Sequence, residues 1–408
     1  MHHAVLTSII PGLSPGTKFF LVKLLQAYGA SEPVNMKVKA LARALGVNDH
    51  VVSTAAKQLE HHGYLSVEDK AVGRGRPQRQ YRCLPSLDRL QAESADHPPP
   101  QHSELIDELL APDYTDSGTR ALNVSNRLLL CVLLSHADPC GVVRNCGLST
   151  LSQMTGMSPD RLHSQLAKLK SIGYIRATMP GGTGSRLFGA TASVYFLSLR
   201  ELQHGGSTRP ETDQDLDEYC LDGDRIKFTA AVFGAAKHIQ NNLNRAKSNR
   251  PWSHINEVGP ALYEGGTRNI ADFFVFHTRG ADRRLLQMKV EEYACTLLVS
   301  HWDELWSGRL VVAPPLIAKI GAECLSPKLR RALTEEGFPT TDQYDGLVHF
   351  MFQTTSDLAR KIMREACGPS GERLSKAEGY AILPLAGGDY GRIVITAARS
   401  SEIDSSEK

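Results

Sequence analysis

The sequence lacks the features that would place it in a membrane or in an oxidising compartment. No apolar run reaches the roughly 20 residues of a spanning helix. The N-terminal MHHAVLTSIIPGLSPG has no basic stretch followed by a long apolar core, so a secretory signal is not expected. Cysteine is sparse, with eight in 408 residues, which does not read as a disulfide framework. Cys140 and Cys146 lie close together, but no second Cys or His pair completes a metal-ligand pattern beside them. Excess charge is also missing, the whole chain carrying a net +2. These absences predict a cytoplasmic protein with free thiols and with neither metal nor cofactor.

The small net charge hides a division. Residues 1–85 carry 11 basic against 5 acidic residues, and residues 121–200 carry 8 against 2, so each stretch has a net +6. Residues 86–120 have a net −6 and residues 201–408 a net −4. Positive charge confined to two stretches points to a polyanion partner.

The same two stretches repeat each other. GVNDHVVSTAAKQLEHHGYL (46–65) aligns without a gap on GMSPDRLHSQLAKLKSIGYI (156–175), at an offset of 110. Gly46, Leu59, Gly63 and Tyr64 fall on Gly156, Leu169, Gly173 and Tyr174. A repeat sets the architecture before any single residue does.

In the first copy, Ser14-Pro15 opens a helix that Gly29 ends, with Ser14 as cap and Pro15 in the first turn. A short helix carrying Val38, Leu41, Ala42 and Leu45 follows, and Gly46 makes a turn. Asn48 then caps a third helix that Gly63 closes, with Val51, Val52, Ala55, Ala56 and Leu59 inward. His61 and His62 are read as capping or filling the surface at its end. Two β-like runs flank the Gly- and Arg-rich turn AVGRGRPQRQ. The second copy follows the same order. SNRLLLCVLLSHA is a strongly apolar helix, Ser158-Pro159 opens the third helix, and GGTGSR forms the turn. GGTGS lacks the spacing and terminal Lys-Ser/Thr of a nucleotide-binding loop.

Helix, helix, turn, helix, hairpin, as carried by LARALGVNDHVVSTAAKQLEHHGYLSV…GRGRPQRQYRCL, resembles the winged helix-turn-helix family, particularly its MarR-like and GntR-like branches. The resemblance implies that the third helix enters the major groove of double-stranded DNA and that the hairpin wing lies along the backbone or in the minor groove. The residues that fall there in the first module are Asn48, His50, Ser53, Thr54, Lys57 and Gln58 on the helix, with Arg74, Arg76 and Arg79 on the wing. In the second module they are Arg161, His163, Ser164, Gln165 and Lys168, with Arg186 alone at the wing tip. Such side chains supply the donors that read bases or grip phosphates, and weaker DNA contact is expected from the second copy.

The fold class expected is mainly α with small β-hairpins: a first module over 11–85, a second over 119–200, and a predominantly helical α+β domain over 222–400. Residues 86–118 hold a triple proline and acidic ELIDELLAPD; the whole is read as a linker that sets the spacing of two tethered modules, with 104–113 a short acidic amphipathic turn or helix that covers a basic surface or separates the modules. In the C-terminal part, 227–246, 283–308, 326–336 and 355–367 read as helical, and GYAILPLAGGDYGRIVITA as one or two strands. Leu285, Leu286, Val290, Tyr293, Leu297, Leu298, Trp302 and Trp306 supply an apolar face there, fit for a homodimer, a partner or a small ligand. His301 beside Asp303 and Glu304 is read as helix surface, so no catalytic residue is assigned and no enzyme is expected. The leading expectation is a transcriptional regulator. The others are a replication or partition initiator of a plasmid or mobile element, and a winged-helix adaptor that binds protein.

Overall fold

The computed structural model describes residues 1–70, 78–94, 100–112, 122–185, 189–204, 217–221, 280–309, 311–324, 342–367, 376–383 and 393–397. They form a mainly helical fold with small antiparallel sheets, divided into two compact units. One comprises Met1–Met179 and Ala192–Thr212, the other Pro180–Thr191 and Asp213–Lys408.

The first unit opens with α1 (His2–Thr7), and then shows one element order twice. The first pass runs α2 (Pro15–Tyr28), β1 (Val34–Met36), α3 (Val38–Ala44), α4 (Asp49–His61), β2 (Leu65–Lys70) and β3 (Gln78–Cys83). After α5 (Ser86–Ser94) and α6 (Ser103–Leu110), the second runs α7 (Val124–Ser135), β4 (Val142–Val143), α8 (Leu148–Thr155), α9 (Pro159–Ser171), β5 (Ile175–Met179) and β8 (Val194–Leu197), followed by α10 (Leu199–His204). The sheets have matching orders, β1-β3-β2 and β4-β8-β5, all antiparallel.

Local chemistry explains the shared pattern. Ser14, Asn48, Asn123 and Ser158 each accept a hydrogen bond from the backbone N–H three residues on, which fixes the starts of α2, α4, α7 and α9. The ends of α4 and α9 match bond for bond. Gly63 and Gly173 take φ of 71° and 90°. Tyr64 N–H reaches back to Leu59 O at 2.9 Å, and Tyr174 N–H to Leu169 O at 3.0 Å. This Schellman closure needs a left-handed residue and carries an apolar contact across it, which is why Leu, Gly and Tyr coincide in both copies.

The copies do not stand apart as tethered beads. In α2 every residue from Phe19 to Leu25 is buried, and in α7 every residue from Ser125 to Leu134. A helix covered all round belongs to an interior, and α2 and α7 pack on each other at the centre of the unit. The stretch read as a linker is likewise built in. α6 buries Ile106, Leu109 and Leu110, and the buried His102 ring lies 2.8 Å from Asp138 O in the second copy. The acidic stretch forms the amphipathic helix its pattern allows, and its apolar residues, recurring at helical spacing, cover α7.

The wing of the second copy also departs from expectation. Its ladder shifts register between Ile175 and Ala177, and between β5 and β8 the chain forms a separate hairpin, β6 (Gly182–Ser185) with β7 (Gly189–Thr191). Pro180 lacks an N–H for the ladder and Gly181-Gly182 adds no side chain to pair across it. The hairpin groups with the second unit.

The second unit contains β9 (Asp217–Leu221) paired with β10 (Ile393–Ala397), and the helices α11 (Gly280–Ser300), α12 (Trp302–Trp306), α13 (Pro314–Cys324) and α14 (Asp342–Cys367). The stretch 283–308 therefore holds parts of two helices. Its apolar face is buried from Leu285 to Leu298, but Trp306 is 57% exposed. β10 supplies one of the expected strands, while 379–383 is not strand. The helices expected at 227–246 and 326–336 lie outside the described residues. Among the described residues no helix is long and apolar enough to cross a membrane, and six cysteines are free thiols.

Candidate nucleic-acid interface

In both copies the helix after the Gly46 or Gly156 turn buries one face and presents another. On α4, Val52, Ala55, Ala56 and Leu59 are buried. Asn48, His50, Thr54, Lys57 and His61 are exposed, with Ser53 half-buried beside them. Positions 50, 54, 57 and 61 recur at helical spacing and make one polar stripe. On α9, Leu162 and Leu169 are buried, while Arg161, His163, Ser164 and Lys168 are exposed. Both turn glycines are required twice over. Gly46 and Gly156 have φ of 59° and 69°, and a Cβ on either would overlap a backbone carbonyl oxygen, of Pro112 and Leu13 respectively.

Several predicted contacts have other work. Gln58 is turned inward: its Oε1 accepts from Ser14 N–H at 3.2 Å and from Thr17 Oγ1 at 2.5 Å, and its Nε2 donates to Gly12 O at 2.7 Å. The amide anchors the start of α2 and is not presented for base reading. Asn48 Oδ1 accepts from Val51 N–H at 2.8 Å, so the cap occupies that oxygen. Arg161 Nη2 donates to Ser125 Oγ at 2.6 Å, tying α9 to the start of α7. Gln165 is half-buried, with an Oε1 that finds no hydrogen-bond partner among the described residues.

On the first hairpin Arg79 stands opposite Asp69 in register, with Nε 3.3 Å from Oδ1. Both are substantially solvent-exposed, so the pair is weak and the guanidinium can exchange it for a phosphate. Arg82 is also exposed. Arg74, Arg76 and Arg186 lie outside the described residues.

Part of the positive charge counted in the repeats is internal, which composition could not reveal. Lys18 and Lys23 on α2 and Arg127 on α7 are 2%, 1% and 7% exposed. Lys18 Nζ donates to Leu6 O at 3.0 Å, Ser8 O at 2.7 Å and Met154 O at 2.5 Å. Burial pulls its pKa down to about 7. Arg127 Nε donates to Leu109 O at 2.7 Å, and its Nη2 to Leu109 O and to Ala111 O, the latter at 2.9 Å. Lys23 Nζ reaches Ala111 O at 3.4 Å. The Phe19 ring sits beside both cations, its centre 5.5 Å from Lys23 Nζ and 5.3 Å from the Arg127 guanidinium. These cations meet the carbonyl ends of α1, α8 and α6, where the helix dipole favours positive charge. They hold the two copies together and leave the exposed Lys37, Lys39, Arg43, Lys57, Lys168, Lys170 and Arg176 as outward basic groups.

The second unit holds an ion-paired cluster that sequence reading missed. Lys289 Nζ is 2.8 Å from Glu323 and 3.1 Å from Glu292, Lys319 Nζ is 2.9 Å from Glu292, and Tyr293 OH donates to Glu323 at 2.9 Å. It joins α11 to α13 with charges paired. Glu291, half-buried beside Gln287, has its pKa raised to about 7 by desolvation. The i, i+3 and i, i+4 spacing of these charges was the available signal, but their partners stand about thirty residues away.

Comparison of the chain with protein-family models, with curated protein sequences and with solved structures finds no match.

Proposed function

We propose that this protein binds double-stranded DNA sequence-specifically through two winged helix-turn-helix modules and regulates transcription. One observation carries the reading. The same helix, strand, helix, turn, helix and two-strand order occurs twice with the same sheet order, and in each copy the helix after the turn keeps one face polar and solvent-exposed. In a helix-turn-helix that second helix faces base edges in the major groove. The first module offers His50, Thr54 and Lys57 there, with Arg79 and Arg82 on its wing strand, and its sequence adds Arg74 and Arg76; the second offers His163, Ser164 and Lys168. The first module carries the stronger recognition surface. Half-site spacing is set by the packing of α2 on α7, since both modules belong to one compact unit.

The test is selection of bound sequences from a random duplex pool, followed by affinity measurement over a salt series. A single enriched motif is expected, with affinity falling by an order of magnitude or more over a modest salt increase. Arg74→Ala with Arg76→Ala should weaken binding while the melting temperature holds. An unenriched pool together with salt-independent affinity would overturn the reading and leave a protein-binding role for the same surface.

A further inference from the structure

We propose that His2, His3 and Asp107 form a zinc site that clips α1 to α6. His2 and His3 open the chain's first helix, and Asp107 stands on the helix between the two repeats, 105 residues from His2. The third ligand stands too far along the chain for any local Cys/His spacing to reveal the set.

The geometry fits a small tetrahedral ion. One ligand atom from each of the three residues lies within 4.8 Å of the others. His2 Nε2 is 2.8 Å and His3 Nε2 3.9 Å from Asp107 Oδ1. Ligands at about 2.0–2.1 Å from a tetrahedral zinc stand about 3.3 Å apart, and the two distances bracket that edge. The imidazole rings are 4.0 Å apart and tilted by 40°; two imidazoles on one tetrahedral ion have ring centres about 5 Å apart, so binding requires the rings to separate by about 1 Å.

The surroundings suit a metal ligand set. All three residues are half-buried, with side chains 20%, 22% and 46% exposed, which shelters the imidazoles and leaves solvent to fill the fourth position. The buried Nδ1 of His3 has no hydrogen-bond partner among the described residues. Gln26 Nε2 donates to Asp107 Oδ1, the oxygen that faces the imidazoles, at 3.1 Å and to its backbone carbonyl at 3.2 Å, fixing the carboxylate's position as an outer-shell partner does. Binding exchanges the His2–Asp107 hydrogen bond for a shared ion. Two imidazoles and one carboxylate suit zinc over magnesium or calcium, which prefer all-oxygen shells.

The consequence is mechanical. α1 packs against α2, α5, α7 and α8, and thus against both repeats. A metal tie from α1 to α6 fastens elements of the repeat pairing, and it stands independently of whether the repeats bind DNA.

The experiment titrates zinc chloride into metal-stripped full-length protein carrying no added histidines, by calorimetry and by thermal melting. One saturable equivalent and a raised melting temperature are expected, with no effect of magnesium. His3→Gln and Asp107→Asn should each weaken zinc at least tenfold and abolish the thermal shift. His3→Gln is the cleaner variant, because Asp107 also holds Gln26. If a variant is itself unstable, cobalt(II) in the native chain decides: an intense tetrahedral visible spectrum supports the site, and a weak octahedral one or none overturns it. Absent saturable binding, or undiminished zinc affinity in folded His3→Gln and Asp107→Asn, also overturns it.

Discussion

Lys18 Nζ, buried in α2, donates to the carbonyl oxygen of Met154 in the last turn of α8, at 2.5 Å. A cation of the first repeat thereby completes a helix terminus of the second. The same ammonium closes the end of α1 through Leu6 and Ser8. Three carbonyls match its three N–H bonds, and burial opposes its charge.

The pH dependence follows from that opposition. Burial lowers the Lys18 pKa from 10.5 to about 7 in the folded chain. Between these values the unfolded chain binds more protons, so stability rises with pH, by at most about 1.4 kcal/mol per unit for one group. Urea denaturation from pH 7 to 10 should show this rise in the native chain relative to Lys18→Met. The variant should also melt lower at pH 9, since the buried carbonyls lose the two N–H donors that the neutral amine keeps at that pH. Parallel pH profiles would show that Lys18 carries no such linkage.

Histidine burial acts in the same direction at lower pH. Burial lowers the pKa of His102, which lies against Asp138 O, from its ordinary 6.5. Below about pH 6.5 the unfolded chain takes up the proton first, so stability falls as the solution is acidified. Denaturation midpoints should drop between pH 7.5 and 5.5, and the drop should be smaller in His102→Asn.

Gly156→Ala should cost more than Gly63→Ala. Both glycines have positive φ, at 69° and 71°, so both substitutions carry the left-handed penalty of about 1–2 kcal/mol. A Cβ at 63 meets nothing within 4 Å, whereas at 156 it overlaps the carbonyl oxygen of Leu13. Only the second change also forces the repeats apart. Equal losses in chemical denaturation would argue against close packing at that contact.

Lys57 and Gln58 are neighbours in sequence with opposite expected behaviour. Lys57→Ala should leave stability within about 0.5 kcal/mol and weaken DNA binding. Gln58→Ala removes internal hydrogen bonds to Gly12, Ser14 and Thr17 and should cost about 1–3 kcal/mol. Thermal melts paired with binding curves separate the two; a stable Gln58→Ala with altered DNA preference would return that residue to the reading face.

Local signals were legible along the chain. Ser14, Asn48 and Ser158 cap the helices they precede, and Gly63-Tyr64 and Gly173-Tyr174 close them, because each of these bonds spans only a few residues. The polar stripe of α4 was readable for the same reason, apart from Gln58. On a helix surface Gln58 and Lys57 are both polar, and only the loop at Gly12–Thr17 decides which one turns inward.

What the sequence by itself determined is the repeat, the starts and ends of its helices, and the side chains available for an exposed face. Tertiary structure decided that the repeats share one interior, that α6 covers it, and that Lys18, Lys23 and Arg127 are buried within it. The reason is range. Caps and turns are satisfied by near neighbours, whereas a buried cation is tolerated only if carbonyls from other helices arrive to meet it. Met154 stands 136 residues from Lys18, a pairing that no local pattern encodes.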